Sequence, residues 1–506
     1  MIMSDLKNEK IMEQFDFLGE FEIPDYHSTA VHVRHKKTGL EVFHMLNDDE
    51  ENLFSFAFRT PNIKANGAVH ILEHSVLCGS ELYPLKDPFV NLSNQSVKTY
   101  LNAMTYSDKT VFPASTISKT DYFNLMRVYA DAVFFPRLDK EIFMQEAHRL
   151  ELDENGEVSI QGVVYNEMKG SYSDFDSVAS DANMASLLGG TIYEKDSGGD
   201  PLIIPEITHE ELCAFHKKWY SPDNCFVFLY GNIPTHEQLE FLQENFLCRL
   251  EKKYAGLDVS EEARKKRIEE FRALITPKKM ESPREFRCEG PSGEDESGNT
   301  VCMNWNLGPS KNADVITETV VLSGILMNHD GSPLKKALID SALGEDLAPQ
   351  CGMSGSGYNC IYSMGLRGVK DGDEKKVEEC IRTTLEKIVR DGVSQKDIES
   401  TLNTLDYMNR EIKRSYGPYS LVLMNRPING WLYGFGVENQ IRLRENLRKI
   451  KEKISTDKGY LERLIKEKLL ENPNCSLVVV TPSTDYAKKR DAEEKRIVER
   501  LLSKTT

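Results

Sequence analysis

No run of about 18 apolar residues occurs anywhere in the chain, so no membrane-spanning helix is expected. The opening stretch MIMSDLKNEKIMEQFDF has no apolar h-region and is poor in arginine, so it reads as neither a secretory signal nor a mitochondrial transit peptide. The ten cysteines are scattered and never form C-x-x-C, which argues against a cysteine-based zinc site or a thioredoxin-type motif. Free thiols in a reducing compartment are the simpler reading, and a cytoplasmic location is expected. Positive charge is also in deficit, with 63 Lys and Arg against 80 Asp and Glu and a formal net charge of −17. A basic stripe for nucleic acid is therefore not expected. An acidic chain instead attracts basic partners, and a basic peptide is one such partner.

What remains is globular and large. Hydrophobic residues make up 40% and charged residues 28% of a 506-residue chain, which is too long for one core and predicts several domains. The stretch the chain turns on is His70-Ile71-Leu72-Glu73-His74, inside GAVHILEHSVLCGS. Helical spacing runs from Gly67 to Leu77 and stops at Cys78-Gly79-Ser80. Positions four apart share a helix face, so the imidazoles of His70 and His74 can hold one metal ion. Glu73 stands beside them and can take a proton from a water at that metal. This H-x-x-E-H order is the reverse of the zincin order and marks the inverzincins. The plainer alternative is an amphipathic helix that shows two histidines to solvent.

A third ligand is needed. Two histidines and one carboxylate leave a fourth zinc position for water, which is the catalytic pattern. The stretch QGVVYNEMKG offers Glu167, 93 positions after His74, but spacing alone does not choose it over Glu146 or Glu151. Before the motif, residues 17–60 alternate as strands, and His27, His32, His35 and His44 there read as sheet-face or loop residues. After it come a proline-rich turn at Tyr83–Phe89 and a predicted hairpin, residues 99–106 with 111–115. Such a hairpin beside a metal helix offers an open edge to an extended peptide. The loop 193–201 is rich in Gly and Pro and could line a pocket. Residues 251–285 are charge-dense with few large apolar side chains and read as an interdomain linker with helical pieces. Strands resume near Val301, helices follow at 315–328, 374–391 and 395–414, and Val478-Val479-Val480 closes the half as a buried strand. The Gly352–Gly357 loop lacks the full G-x-G-x-x-G register, so nucleotide binding is not expected. Residues 483–506 read as a charged helix that ends without a partner.

Five motifs, in this order, carry a resemblance: H-x-x-E-H, LNAMTYSDKTVFPAS, GVVYNEMKGSYSD, DSGGDPLIIPEIT and FHKKWYSPDNCFVFLYGN. Together they resemble the presequence protease and falcilysin branch of the pitrilysin-type zinc metallopeptidases, over nearly the whole chain. The resemblance implies Zn²⁺ held by His70, His74 and Glu167, with Glu73 as general base and substrate lying along the edge around Asn102 and Ala103. It implies an α+β fold of two homologous α/β domains of the pitrilysin/processing-peptidase type, an antiparallel-rich sheet flanked by helices in each, forming half of a clamshell. The expected divisions are a zinc-binding domain at 1–250, the linker at 251–285, a non-catalytic domain at 286–482 and the start of a helical connector at 483–506. Full-length members carry a C-terminal half that supplies an Arg and a Tyr to hold substrate. This chain resembles the N-terminal half, so that half is its expected partner. Unfolded peptides are the implied substrates, degraded in an enclosed chamber.

Overall fold

In the computed structural model the described residues run from 9 to 505, without 87, 293–297, 311–312, 355–356, 415–416 and 439. The N-terminal residues 1–8, Asp87 of the proline-rich turn, and residues 355 and 356 of the glycine loop thus lie outside them.

The first half opens with strands β1 (Phe15–Ile23), β2 (Ser28–His35), β3 (Glu41–Leu46) and β4 (Asn52–Arg59), then helix α1 (Ala68–Val76), which carries the motif. An edge made of two short pieces follows, β5 (Tyr100–Leu101) and β6 (Met104–Thr105), and both pair with β7 (Lys109–Thr116). Helices α2 (Lys119–Phe134) and α3 (Lys140–Glu146) lead to the hairpin β8 (Arg149–Leu152) and β9 (Val158–Gln161). Helices α4 (Val163–Ser171) and α5 (Phe175–Leu188) come next, and β10 (Cys225–Gly231) returns to the centre of the sheet. Helix α6 (Glu261–Ile275) precedes a second set of strands: β11 (Arg284–Pro291), β12 (Asn299–Pro309), β13 (Asp346–Leu347), β14 (Gly352–Ser354) and β15 (Asn359–Val369). Helix α7 (Tyr419–Tyr433), strand β16 (Cys475–Ser483) and helix α8 (Tyr486–Thr505) complete the chain.

The two large sheets share one pairing pattern. The first runs β1-β2-β3-β10-β4-β7-β5, with β6 also on β7, and the second runs β11-β16-β12-β15-β13, with β14 also on β15. In each, a parallel pair (β3 with β10, β11 with β16) continues into antiparallel neighbours and ends at an edge split into two short pieces. This is a mixed, antiparallel-rich α+β fold built twice. Strand β4 shows why both faces must be covered. Its side chains alternate, so Phe54, Phe56 and Phe58 enter one core and Leu53 and Ala57 the other.

The halves exchange helices. Helix α5 lies before residue 250, yet Phe175, Ala179 and Ala182 pack on Val478 and Val480 of the second sheet. Helix α7 lies after residue 286, yet Leu423, Met424, Ile428 and Leu432 pack with Phe226 and Phe228 of the first. Buried polar groups fix the exchange. Arg59 donates to the carbonyls of Leu432 (3.1 Å) and Trp431 (2.6 Å) and lies 3.6 Å over the Trp431 ring. Asp108 accepts from the hydroxyls of Tyr193 (2.7 Å) and Tyr433 (2.6 Å). A sheet buried on both faces needs a cover for each, and a helix from the neighbouring half supplies one.

Two expectations are corrected here. Residues 251–285 are not a spacer, because Phe271 and Ile275 of α6 are fully buried in the core beneath α7. Arg264 pairs with buried Glu41, Arg267 with Asp223, and Arg272 donates to the Tyr433 carbonyl at 2.9 Å. One narrow apolar stripe four residues apart anchors α6, and its abundant charge concealed that stripe. Nor does the terminal helix lack partners. Arg490 pairs with Asp200 (2.6 Å), Lys489 with Glu289 (2.5 Å) and Arg500 with Glu206 (3.3 Å), and Ile497 is only 4% exposed.

Among the described residues no helix is long and apolar enough to cross a membrane, and all ten cysteines are free thiols.

Candidate metal centre

Helix α1 begins where a loop presses on it. Gly199, at φ +97°, sits so close that a Cβ there would lie 2.5 Å from the Gly67 nitrogen. A Cβ on neighbouring Gly198 would lie 2.2 Å from the sulfur of Met168 on α4. Only glycines allow this loop to wedge between the two helices. The wedge brings α4 against α1, and Glu167 with it.

Three side chains then converge. His70 Nε2 and His74 Nε2 stand 3.6 and 3.8 Å from Glu167 Oε2, and one ligand atom from each residue fits within 4.8 Å of the others. The two imidazole rings are 4.8 Å apart and nearly perpendicular. Of the carboxylates that spacing left open, Glu146 lies behind this group. Its Oε2 is 3.1 Å from His74 Nδ1, and its Oε1 accepts from Gln145 at 2.8 Å. That contact turns Nε2 of His74 toward Glu167. Glu151 is not brought in; it pairs with Arg149 on the exposed β8–β9 hairpin.

Burial sets the protonation of the group. Desolvation, with the adjacent His74 imidazole, lowers His70 to about 4, and the Gly198 backbone opposes it. His70 is thus neutral at pH 7, the form that ligates metal. Burial would lower His74 too, but the Glu146 hydrogen bond and the Glu73 and Glu167 carboxylates outweigh it and raise His74. Burial would raise Glu146, but His74 and Gln145 hold it below the ordinary carboxylate range. Glu73 is 8% exposed and burial raises it, against a 2.6 Å hydrogen bond from the Thr105 hydroxyl. A carboxylate held above its usual range is the better proton acceptor.

Thr105 belongs to β6, so the edge strand touches the carboxylate directly. Nothing in the spacing of the sequence pointed to Thr105 or to the role of Glu146. Asn102 and Ala103 fill the gap between β5 and β6, and Asn102 is exposed. The Asn102 N–H donates to Pro113 O (3.2 Å), and its carbonyl accepts from Tyr129 (3.1 Å). The Ala103 N–H donates to the Asn102 side-chain oxygen at 3.0 Å.

The donor set fits a divalent cation. Two imidazoles and a carboxylate are the ligand set of catalytic zinc sites, in which water takes the fourth position. A hydrogen-bonded carboxylate behind a ligating histidine is the usual support. Glu146→Ala is accordingly expected to weaken zinc binding about 10- to 100-fold in a chelator-competition titration. Unchanged affinity would deny Glu146 a positioning role.

Comparison with known proteins agrees with the fold. The family described as "Peptidase M16 inactive domain" matches residues 206–405, beyond the motif helix. The chain is 34% identical over 505 residues to presequence protease 1, chloroplastic/mitochondrial, of Arabidopsis thaliana, covering 98% of this chain and 45% of that protein. It is 33% identical over 501 residues to the protein HypA of Clostridium perfringens, covering 98% and 50%. Among solved structures, the first half of the periplasmic protease PqqL from Escherichia coli superposes with a TM-score of 0.62 at 15% identity, covering 95% of this chain and 98% of that one. The chain spans about half the length of the curated relatives it matches. The twofold sheet pattern, the family match, the relatives and the solved folds together support a half-length pitrilysin-like chain, similar to the M16 inactive-domain family and to the presequence proteases.

Proposed function

We propose that this chain is the zinc-bearing half of a metalloendopeptidase that degrades unfolded peptides. The observation that carries this reading is the approach of His70, His74 and Glu167 to within 4.8 Å, with buried Glu73 beside them and tied to the edge strand through Thr105. His70, His74 and Glu167 would hold the ion. When bound, Zn²⁺ polarises a peptide carbonyl and acidifies a water. Glu73 takes a proton from that water as it attacks the scissile carbonyl, and returns the proton to the leaving amine. Glu146 keeps the His74 ring oriented throughout. A peptide laid along β5–β6 gains main-chain hydrogen bonds, which carry little sequence preference.

A second reading draws on chain length. This chain matches about half of its presequence-protease relatives. An isolated half can bind metal and peptide yet need a complementary C-terminal half for turnover. One assay separates the two readings: cleavage of a quenched fluorescent peptide by this chain, alone and mixed with such a half. Cleavage is expected to stop with a chelator and return with added zinc. Zinc and peptide binding with turnover only in the mixture supports the second reading. Cleavage that ignores the chelator refutes both.

A further inference from the structure

We propose that the terminal helix α8 is a clamp that positions the third metal ligand, acting through Arg490 and Glu494. The proposal rests on Glu167 being a ligand of the metal.

Helix α4 is short, with nine residues, and only Val164, Tyr165 and Met168 are buried on it. Glu167 itself is half-exposed. The helix therefore has little packing of its own to fix where Glu167 stands. Tyr165 and Lys169, four residues apart, share a face, and Glu167 between them points the other way, toward the imidazoles. The face opposite Glu167 is the one α8 grips. Lys169 Nζ lies 2.6 Å from Glu494 Oε2, and the Tyr165 hydroxyl lies in the field of the same carboxylate.

The second grip is on the wedge loop. Arg490 bonds Asp200 at 2.6 Å and stacks 4.5 Å from the Tyr172 ring, just past the end of α4. Asp200 also donates its backbone N–H to Ala65 at 2.8 Å, two residues before Gly67. One helix thus holds both pieces that meet at the metal: the ligand helix α4 and the loop seated on the start of α1. Its grip is fixed in register. Arg490, Glu494, Ile497, Val498 and Leu501 form one stripe, and the last three join the core of the first half. A helix that only covered surface would need the apolar part of this stripe and not the two charges aimed at α4 and Asp200.

The test measures Zn²⁺ affinity of the full chain by competition with a chromophoric chelator. The Arg490→Ala/Glu494→Ala double variant removes one charge of each sign, so the net charge of the chain is kept. It is expected to bind Zn²⁺ about tenfold more weakly, the lower end of what loss of a supporting group costs. In a Glu167→Gln background the same double variant is expected to cause no further loss, because the ligand it positions is gone. Parental affinity, or an equal loss in both backgrounds, overturns the proposal. If Glu167→Gln weakens binding while the double variant does not, the clamp alone fails. If Glu167→Gln binds like the parent, the ligand reading fails and the clamp with it. Should the double variant not fold, Glu494→Gln, which keeps the apolar stripe, goes through the same two backgrounds with the same expected pattern.

Discussion

Glu73→Gln is expected to lower peptide hydrolysis about 100- to 10,000-fold, the range that a positioned general base contributes, while bound zinc stays at the parental level. Glutamine keeps the size of the side chain and can still accept from Thr105, so the buried packing at this position is retained. What it loses is the ability to take and return a proton. Glu73 is not among the three residues whose ligand atoms converge, so metal content has no reason to change. The measurement pairs turnover of a quenched peptide, in whichever form of the protein cleaves it, with metal analysis of the same sample. A glutamine variant as active as the parent sinks the mechanism. One that loses both zinc and activity shows that Glu73 belongs to the ligand set instead.

His74→Ala is expected to have two effects, one on metal and one on the fold. Zinc affinity should fall by more than about 100-fold, beyond what loss of a supporting residue costs, because a ligand itself is removed. The fold should also weaken by about 1–3 kcal/mol in the presence of a chelator, because Glu146 is left in the interior without its main partner. His70→Ala should lose zinc to the same degree without that second cost, since among the described residues no carboxylate is hydrogen-bonded to His70 Nδ1. Thermal unfolding with and without zinc reads both effects. For the parent, zinc at 100 times its Kd adds about 2.7 kcal/mol, and for either variant that increment should vanish. Equal melting of the two variants in chelator would mean that Glu146 finds another partner when His74 is absent.

Local spacing carried the reading of helix α1. H-x-x-E-H needs only one helical turn to put two imidazoles and a carboxylate together, so five sequence positions suffice. The alternating strands at 17–60 and the hairpin of 99–106 with 111–115 were legible for the same reason, since a period of two is a local property, but the break of its first strand into β5 and β6 was not. Legibility failed where distance in sequence mattered. Glu146, Glu151 and Glu167 are indistinguishable as letters. In the fold one backs His74, one pairs with Arg149 on an exposed hairpin and one faces both imidazoles. Helix α6 read as a linker because only Phe271 and Ile275 mark its buried side, and the arginines that fix it bond to residues up to 223 positions away.

The sequence by itself determined the motif helix, the alternating strands that precede it and the absence of an apolar span. Each of these follows from periodicity or composition within a short window. Only the tertiary structure decided that the halves exchange α5 and α7, that Thr105 touches Glu73, that Glu146 stands behind His74 and that α8 reaches α4. Those contacts join residues as far apart as 59 and 432. Each depends on which faces the sheets leave uncovered, which no local pattern records.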